Sequence, residues 1–275
     1  MTLTGISKLE HIMTKNNSLV CVGLDSDMYK LPPVVLNEKH PQFVFNKAIV
    51  DSTYPYVCAF KPNIAFYEAR GARGIEELAM TMDYITSTYP DIFTICDAKR
   101  ADIGNTNKGY VEFIFDRLKF DAITLHPYLG REALAPFLER KDKVSIILCK
   151  TSNPGSHEFQ DMKIEEDPLY LRVAHNISTQ WNMNNNCMLV IGATYPHEMS
   201  AVRERVGDMP FLVPGIGAQG GDLNAVMKAG LNNKKMGMII NSSREIIFGS
   251  SDIQFAEAAG QKASKLRAVI NLFRR

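Results

Sequence analysis

Short apolar runs recur along the chain, and each is followed by polar or glycine-rich residues. Stretches with apolar positions three or four apart lie between them. The runs predict buried strands and the intervening stretches amphipathic helices. The predicted strands are Ser18 to Leu24, Val57 to Phe60, Ile92 to Cys96, Ala122 to Leu125, Val144 to Cys149, Cys187 to Ile191, Phe211 to Val213 and Met238 to Ile240. Helical spacing marks Pro41 to Thr53, Ala65 to Tyr89 with a break near Gly71 to Gly74, Asn107 to Leu118, Glu132 to Arg140, Leu169 to Trp181 and His197 to Arg205. Two further helices run from an Asp222 cap to Gly230 and from about Ile253 to Phe273. An extra helix, Ile6 to Lys15, precedes the first strand. Asn105 or Thr106 is the expected N-cap of the Asn107 helix. Pro32 and Pro33 make Tyr29 to His40 a predicted loop. The polar connection after Cys149, running to Asp167, is long enough for a functional loop or lid.

Eight short strands alternating with helices predict an α/β fold, a (β/α)8 TIM barrel with an extra N-terminal helix, as one domain over residues 1–275. The strands are apolar on both faces, as parallel barrel strands are. A doubly wound open sheet is the competing architecture, and periodicity alone does not separate the two. In a barrel, catalytic groups sit at the C-terminal ends of the strands. Here those ends carry Asp25, Lys61, Asp97, Lys99, Thr151, Ser152, Gln219 and Arg244. Convergence of so many polar side chains on one rim has no rationale in stability.

The third strand runs into Asp97, Lys99 and Asp102. The two-residue period puts Asp97 and Lys99 on one strand face. Two charges at a buried strand end must pair with each other or with a ligand. An ordinary ion pair at a strand terminus is the plain alternative; the convergent rim favours an active site.

Net charge is +1, and no basic block stands out, so generic nucleic-acid binding has no electrostatic support. No apolar run approaches the length of a membrane span, and Met1 to Glu10 lacks the apolar core of a secretory signal. The five cysteines, Cys21, Cys58, Cys96, Cys149 and Cys187, sit inside predicted strands with no Cys-x-x-Cys pair, which predicts buried reduced thiols and a cytoplasmic location. Neither they nor the six histidines show metal-ligand spacing, so no metal site is expected.

The run Pro214 to Gly221 holds four glycines between strand seven and the Asp222-capped helix. Loops after strands seven and eight commonly bind phosphate in barrels, and a helix N-terminus favours an anion. Arg244 after strand eight suits a forked phosphate contact. The loop is neither a P-loop nor a dinucleotide fingerprint, because it lacks the Gly-Lys-Ser/Thr sequel and follows a late strand.

The run Asp97-Ala98-Lys99-Arg100-Ala101-Asp102-Ile103-Gly104-Asn105-Thr106 resembles the signature of the orotidine 5′-phosphate decarboxylase family. Gly23-Leu24-Asp25, Phe60-Lys61-Pro62-Asn63, Thr151-Ser152-Asn153-Pro154-Gly155 and Val213 to Asp222 match it too, in order and over nearly the whole chain. Lys-Pro-Asn and the extended segment after strand five resemble the longer bacterial and protozoan type 2 branch. The resemblance implies decarboxylation of orotidine 5′-monophosphate to uridine 5′-monophosphate in pyrimidine biosynthesis, by a homodimer, with no cofactor. It implies a charged network of Lys61, Asp97, Lys99 and Asp102, with Lys99 protonating C6. Asp102 and Thr106 would reach the partner's site near the ribose. Asp25 and Asn63 would bind ribose hydroxyls, Thr151 and Ser152 the pyrimidine edge, and Gln219, Ser243 and Arg244 the phosphate. Where relatives often have glycine before the arginine, this chain has Ser243.

Three rival readings remain open at this stage. The same barrel serves metal-dependent sugar-phosphate decarboxylases and aldolases. Lys61 and Lys99 at strand ends also suit a Schiff-base aldolase. A non-catalytic nucleotide binder is the third.

Overall fold

The computed structural model describes residues 5–216 and 221–274. Eight parallel strands among these residues close into a barrel: β1 (Val20–Gly23), β2 (Ala59–Lys61), β3 (Phe93–Arg100), β4 (Ala122–Leu125), β5 (Val144–Lys150), β6 (Cys187–Ile191), β7 (Phe211–Pro214) and β8 (Met238–Ser242). Each pairs with its sequence neighbour, and β1 pairs with β8 through Val20 and Ile240. Closure excludes the open doubly wound sheet. The strands are short and almost wholly buried, because one face fills the barrel interior and the other meets the helix ring. Each fully buried Val, Leu, Ile or Phe contributes about 1.5–3 kcal/mol, so the apolar runs that marked the strands also hold the barrel together.

The helix Gly5–Lys15 buries Leu9, Ile12 and Met13. Its Lys8 ammonium binds both oxygens of Asp121, at 3.0 and 2.8 Å, and Lys15 binds Asp91 at 2.6 Å. Asp91 and Asp121 lie just ahead of β3 and β4, so this helix covers the N-terminal end of the barrel and leaves the opposite mouth clear. The closing helix Phe255–Leu272 packs beside Pro41–Thr53, where Phe45 stacks on Phe248 and Phe255 at 5.6 and 5.2 Å.

Several local expectations shift. The segment Tyr29 to His40 is not all loop, since Pro33 opens a four-residue helix, Pro33–Leu36, at the position where its missing N–H is no loss. The expected break near Gly71 separates Ala65–Glu68 from Ala72–Thr88. The helix after β3 begins at Gly104 with no side-chain cap, so neither Asn105 nor Thr106 serves as N-cap. Asn107 does the bracing instead: its Oδ1 accepts from the Asp102 N–H at 2.9 Å and its amide donates to the Asp102 and Ala133 carbonyls. That helix and Leu169–Asn176 each continue in wider π turns, Glu112–Arg117 and Ile177–Trp181. All five cysteines are free and buried, as expected. Burial pushes the Cys21 and Cys149 thiols up to about 12, so they stay protonated and inert. No described helix is long and apolar enough to cross a membrane.

Candidate active site

The C-terminal mouth of the barrel opens into a cavity of about 460 Å³. Its charged floor is built from two adjacent strands, β2 and β3. Lys61 ends β2 with its side chain buried, and its ammonium meets Asp97 Oδ2 at 2.9 Å. Lys99 meets the other oxygen, Oδ1, at 2.6 Å, with its side chain half exposed to the cavity. One carboxylate therefore bridges two ammonium groups. Burial by itself would raise the Asp97 carboxyl, but the Lys61 and then the Lys99 charge outweigh it and hold Asp97 well below the usual carboxylate range. For Lys61, burial favours the neutral amine, and the Asp97 and Asp25 carboxylates overcome it and raise the ammonium above its ordinary value.

Asp97 and Lys99 do not meet by simple strand alternation. The β3 strand runs on past Cys96 to Arg100, and its register against β4 shifts between those residues. Lys99 sits there with φ +46°, the left-handed region that a non-glycine residue enters only when its surroundings fix it. The fixing group is Thr124 of β4. Its Oγ1 accepts from the Lys99 N–H at 3.0 Å and donates to Asp97 Oδ1 at 2.9 Å. Sequence reasoning missed Thr124; the available signal was a lone hydroxyl near the end of an otherwise apolar strand.

Asp25, Asn63, Thr151, Ser152, Ser243 and Arg244 line the same cavity. Asp25 Oδ1 is buried with no protein donor among the described residues, an acceptor suited to a hydroxyl. Asn63 bridges to Asp97 through the backbone, which ties the β2 and β3 ends together. Two glycines permit close approaches. A Cβ on Gly23 would fall 1.8 Å from Ser243 Oγ, and one on Gly192 would fall 2.7 Å from the Ser152 nitrogen. Gly192 is a further residue that sequence reasoning missed, although it follows β6 as Gly23 ends β1. Gln160 and the buried Asn241 also line the cavity and were not foreseen.

Beside the ends of β7 and β8, Gly215 and Ile216 border the cavity next to Ser243 and Arg244, and Arg244 makes no ion pair among the described residues. Gln219 lies outside the described residues. The helix Leu223–Gly230 contributes less than its position suggested. Asp222 accepts from the amides of Asn224 and Ala225 at 2.9 and 3.3 Å, so its own carboxylate occupies the first-turn donors.

Asp102 and Thr106 stay outside this cavity in their own chain. Thr106 lines a separate groove with Ile64, Glu68, Arg100, Tyr110 and Phe113. Asp102 accepts from the Ile103 N–H at 2.6 Å. Of the four residues expected in the charged network, the cavity brings together Lys61, Asp97 and Lys99.

Residues 18–259 match the sequence profile of the "Orotidine 5'-phosphate decarboxylase / HUMPS family". The chain belongs to this family. Orotidine 5′-phosphate decarboxylase of Cellvibrio japonicus is 46% identical over 271 residues, covering 98% of each chain. The enzyme of Dechloromonas aromatica is 46% identical over 272 residues, 99% of this chain and 100% of its own. Leishmania donovani OMP decarboxylase superposes with a TM-score of 0.85 at 35% identity, covering 99% of both chains. Leishmania donovani UMP synthase gives 0.87 at 36% identity, and this chain spans 57% of its length. The expected class, a carboxy-lyase on a TIM barrel, is thus the class and fold of the decarboxylase family's named members.

Proposed function

We propose that the chain decarboxylates orotidine 5′-monophosphate to uridine 5′-monophosphate, the closing step of pyrimidine biosynthesis, with no cofactor and no metal. The observation that carries this reading is the buried Asp97 carboxylate clamped between Lys61 and Lys99 at the mouth of the barrel, in a cavity of nucleotide size.

Loss of CO2 from C6 leaves an electron pair in the ring plane with no conjugated sink. An ammonium about 4 Å from that pair is worth roughly 4 kcal/mol at an effective dielectric of 20. Enzymes supply roughly 8–23 kcal/mol, so Lys99 alone is insufficient. The remainder comes from two sources. Asp97, held ionised by its two lysines, would lie against the substrate carboxylate, and that repulsion is relieved as CO2 departs. Binding energy at the distant phosphate holds the ring in its reactive position. Lys99 then delivers its proton to C6, from a backbone that Thr124 holds in place.

Asp25 and Asn63 are assigned to the ribose hydroxyls, Thr151 and Ser152 to the pyrimidine edge, and Gln219, Ser243 and Arg244 to the phosphate. Asp102 and Thr106 are assigned to the neighbouring site of a homodimer; their position outside their own cavity supports that assignment. The working unit is then two copies of one barrel domain, residues 1–275, acting in the cytoplasm on a small nucleotide. No membrane and no nucleic acid takes part.

The test is spectrophotometric. Purified protein mixed with orotidine 5′-monophosphate should change the pyrimidine absorbance at the same rate with and without a chelator. Tight binding of uridine 5′-monophosphate with no absorbance change would make the protein a binder, and chelator-sensitive turnover would move it to the metal-dependent sugar-phosphate enzymes.

A further inference from the structure

The Lys150 side chain is fully buried at the end of β5, yet no catalytic role falls to it. Its ammonium meets Asp161 Oδ1 at 2.5 Å and lies 4.5 Å from the ring centre of Tyr195 and 5.7 Å from that of Tyr170. A buried ammonium is tolerated only when its charge is matched, and here one carboxylate and two aromatic faces match it. The carboxylate comes from eleven positions further along, in the long polar connection after β5, and is itself 42% exposed. The ion pair therefore links the barrel wall to an otherwise solvent-facing loop.

The neighbours of the two residues complete a ring. Thr151 follows Lys150, and Gln160 precedes Asp161. The Thr151 N–H donates to Gln160 Oε1 at 2.9 Å, and Gln160 Nε2 donates to Thr151 Oγ1 at 2.8 Å. Thr151 Oγ1 in turn donates to Asn153 Oδ1 at 2.7 Å. Backbone bonds join 150 to 151 and 160 to 161, and side-chain bonds join 151 to 160 and 161 to 150. This small cycle encloses the base of the loop. The Lys150 carbonyl also accepts from the Gly192 N–H at 2.7 Å, and Ser152 rests where a Cβ on Gly192 would be. Thr151 and Ser152 thus reach the cavity wall from a segment anchored on both sides.

We propose that Lys150 is a positioning residue: its ion pair with Asp161 closes the ring that presents Thr151 and Ser152 to the base of the substrate. This rests on the assignment of those two residues to the pyrimidine edge. The ring makes the loop base a preset wall on β5, and the residues assigned to the phosphate follow β7 and β8, two and three strands further round the barrel. The effect of breaking it should fall on the base and spare the phosphate.

The experiment compares two probes, uridine 5′-monophosphate and ribose 5-phosphate, by titration calorimetry on the full chain. Lys150→Met, which keeps the aliphatic stem, should weaken uridine 5′-monophosphate at least tenfold and leave ribose 5-phosphate within twofold. Asp161→Asn should act the same way, and supplies the comparison if Lys150→Met does not fold. Asp161→Glu, which keeps the charge, should restore most of the affinity. Amide exchange at Thr151 should accelerate in Lys150→Met and Asp161→Asn without any ligand. Equal losses on both probes would mean general destabilisation and overturn the proposal, as would unchanged affinity together with unchanged exchange. Ser152→Ala separates the two claims. If it leaves the ratio of the two affinities as in wild type while Lys150→Met lowers it, the assignment of Ser152 fails and the ring's role in base recognition stands.

Discussion

Replacing Thr124 by valine removes one hydroxyl and keeps the shape of a fully buried side chain. Two hydrogen bonds go with it. Donation to the ionised Asp97 oxygen is worth about 1.5–3 kcal/mol, and an unsatisfied Lys99 N–H costs about 1–3 kcal/mol. The strained Lys99 backbone can then relax, which returns part of the loss. A net destabilisation of about 3 kcal/mol follows. The kinetic consequence is separable. If relaxation carries the ammonium from about 4 to about 6 Å from C6, its electrostatic contribution falls from about 4 to about 3 kcal/mol at an effective dielectric of 20, roughly tenfold in rate. Urea unfolding of the ligand-free protein reads the first figure, and the decarboxylation assay reads the second. Thr124→Ser keeps the hydroxyl and should recover most of both. A valine variant with kcat within twofold of wild type and stability within about 0.5 kcal/mol would refute the claim that Thr124 sets the lysine.

Three further outcomes are expected. Arg244→Ala should weaken uridine 5′-monophosphate by roughly 10- to 100-fold, the worth of a charge-assisted bond, and leave uridine unaffected; equal affinity for the nucleotide in variant and wild type would remove Arg244 from the phosphate. Mixing inactive Asp102→Ala and Lys99→Ala chains should restore part of the activity through heterodimers, and no recovery after proven subunit exchange would count against Asp102 acting across an interface. The pH dependence follows from the depressed Asp97 carboxyl: its stabilising contribution is present above the unfolded value of about 3.9 and is lost as pH falls toward the folded one. The stability gap between wild type and Asp97→Asn should therefore hold from about pH 5 to 9 and narrow below about pH 4, whereas a gap constant down to pH 3 would mean that Asp97 is not held low.

The strands were legible because their signal is local. Ala122–Leu125 and Cys187–Ile191 end where the apolar runs end, and burial on both faces leaves Thr124 as the one polar position in the two. The convergence of Lys61, Asp97 and Lys99 was legible for the same reason, since barrel closure brings all strand ends to one rim. Contacts between distant segments were not legible. The left-handed Lys99 depends on Thr124, 25 positions away, and nothing in Asp-Ala-Lys announces a register shift. Nothing in the sequence marks Lys150 as buried, because its burial depends on Asp161 and two tyrosines brought to it by the fold. The motif contains Asp102, but the motif alone does not say whose cavity it serves. The capping role of Asp222 was visible, yet its consequence, that the cap takes the donors an anion would use, emerged only with the geometry.

The central claim is that an ammonium fixed beside a buried carboxylate carries the chemistry, and Lys99→Ala tests it most directly. Single-turnover decarboxylation should fall by at least roughly 10³-fold, the electrostatic share alone, while uridine 5′-monophosphate still binds measurably. Wild-type-like turnover by that variant would contradict the account.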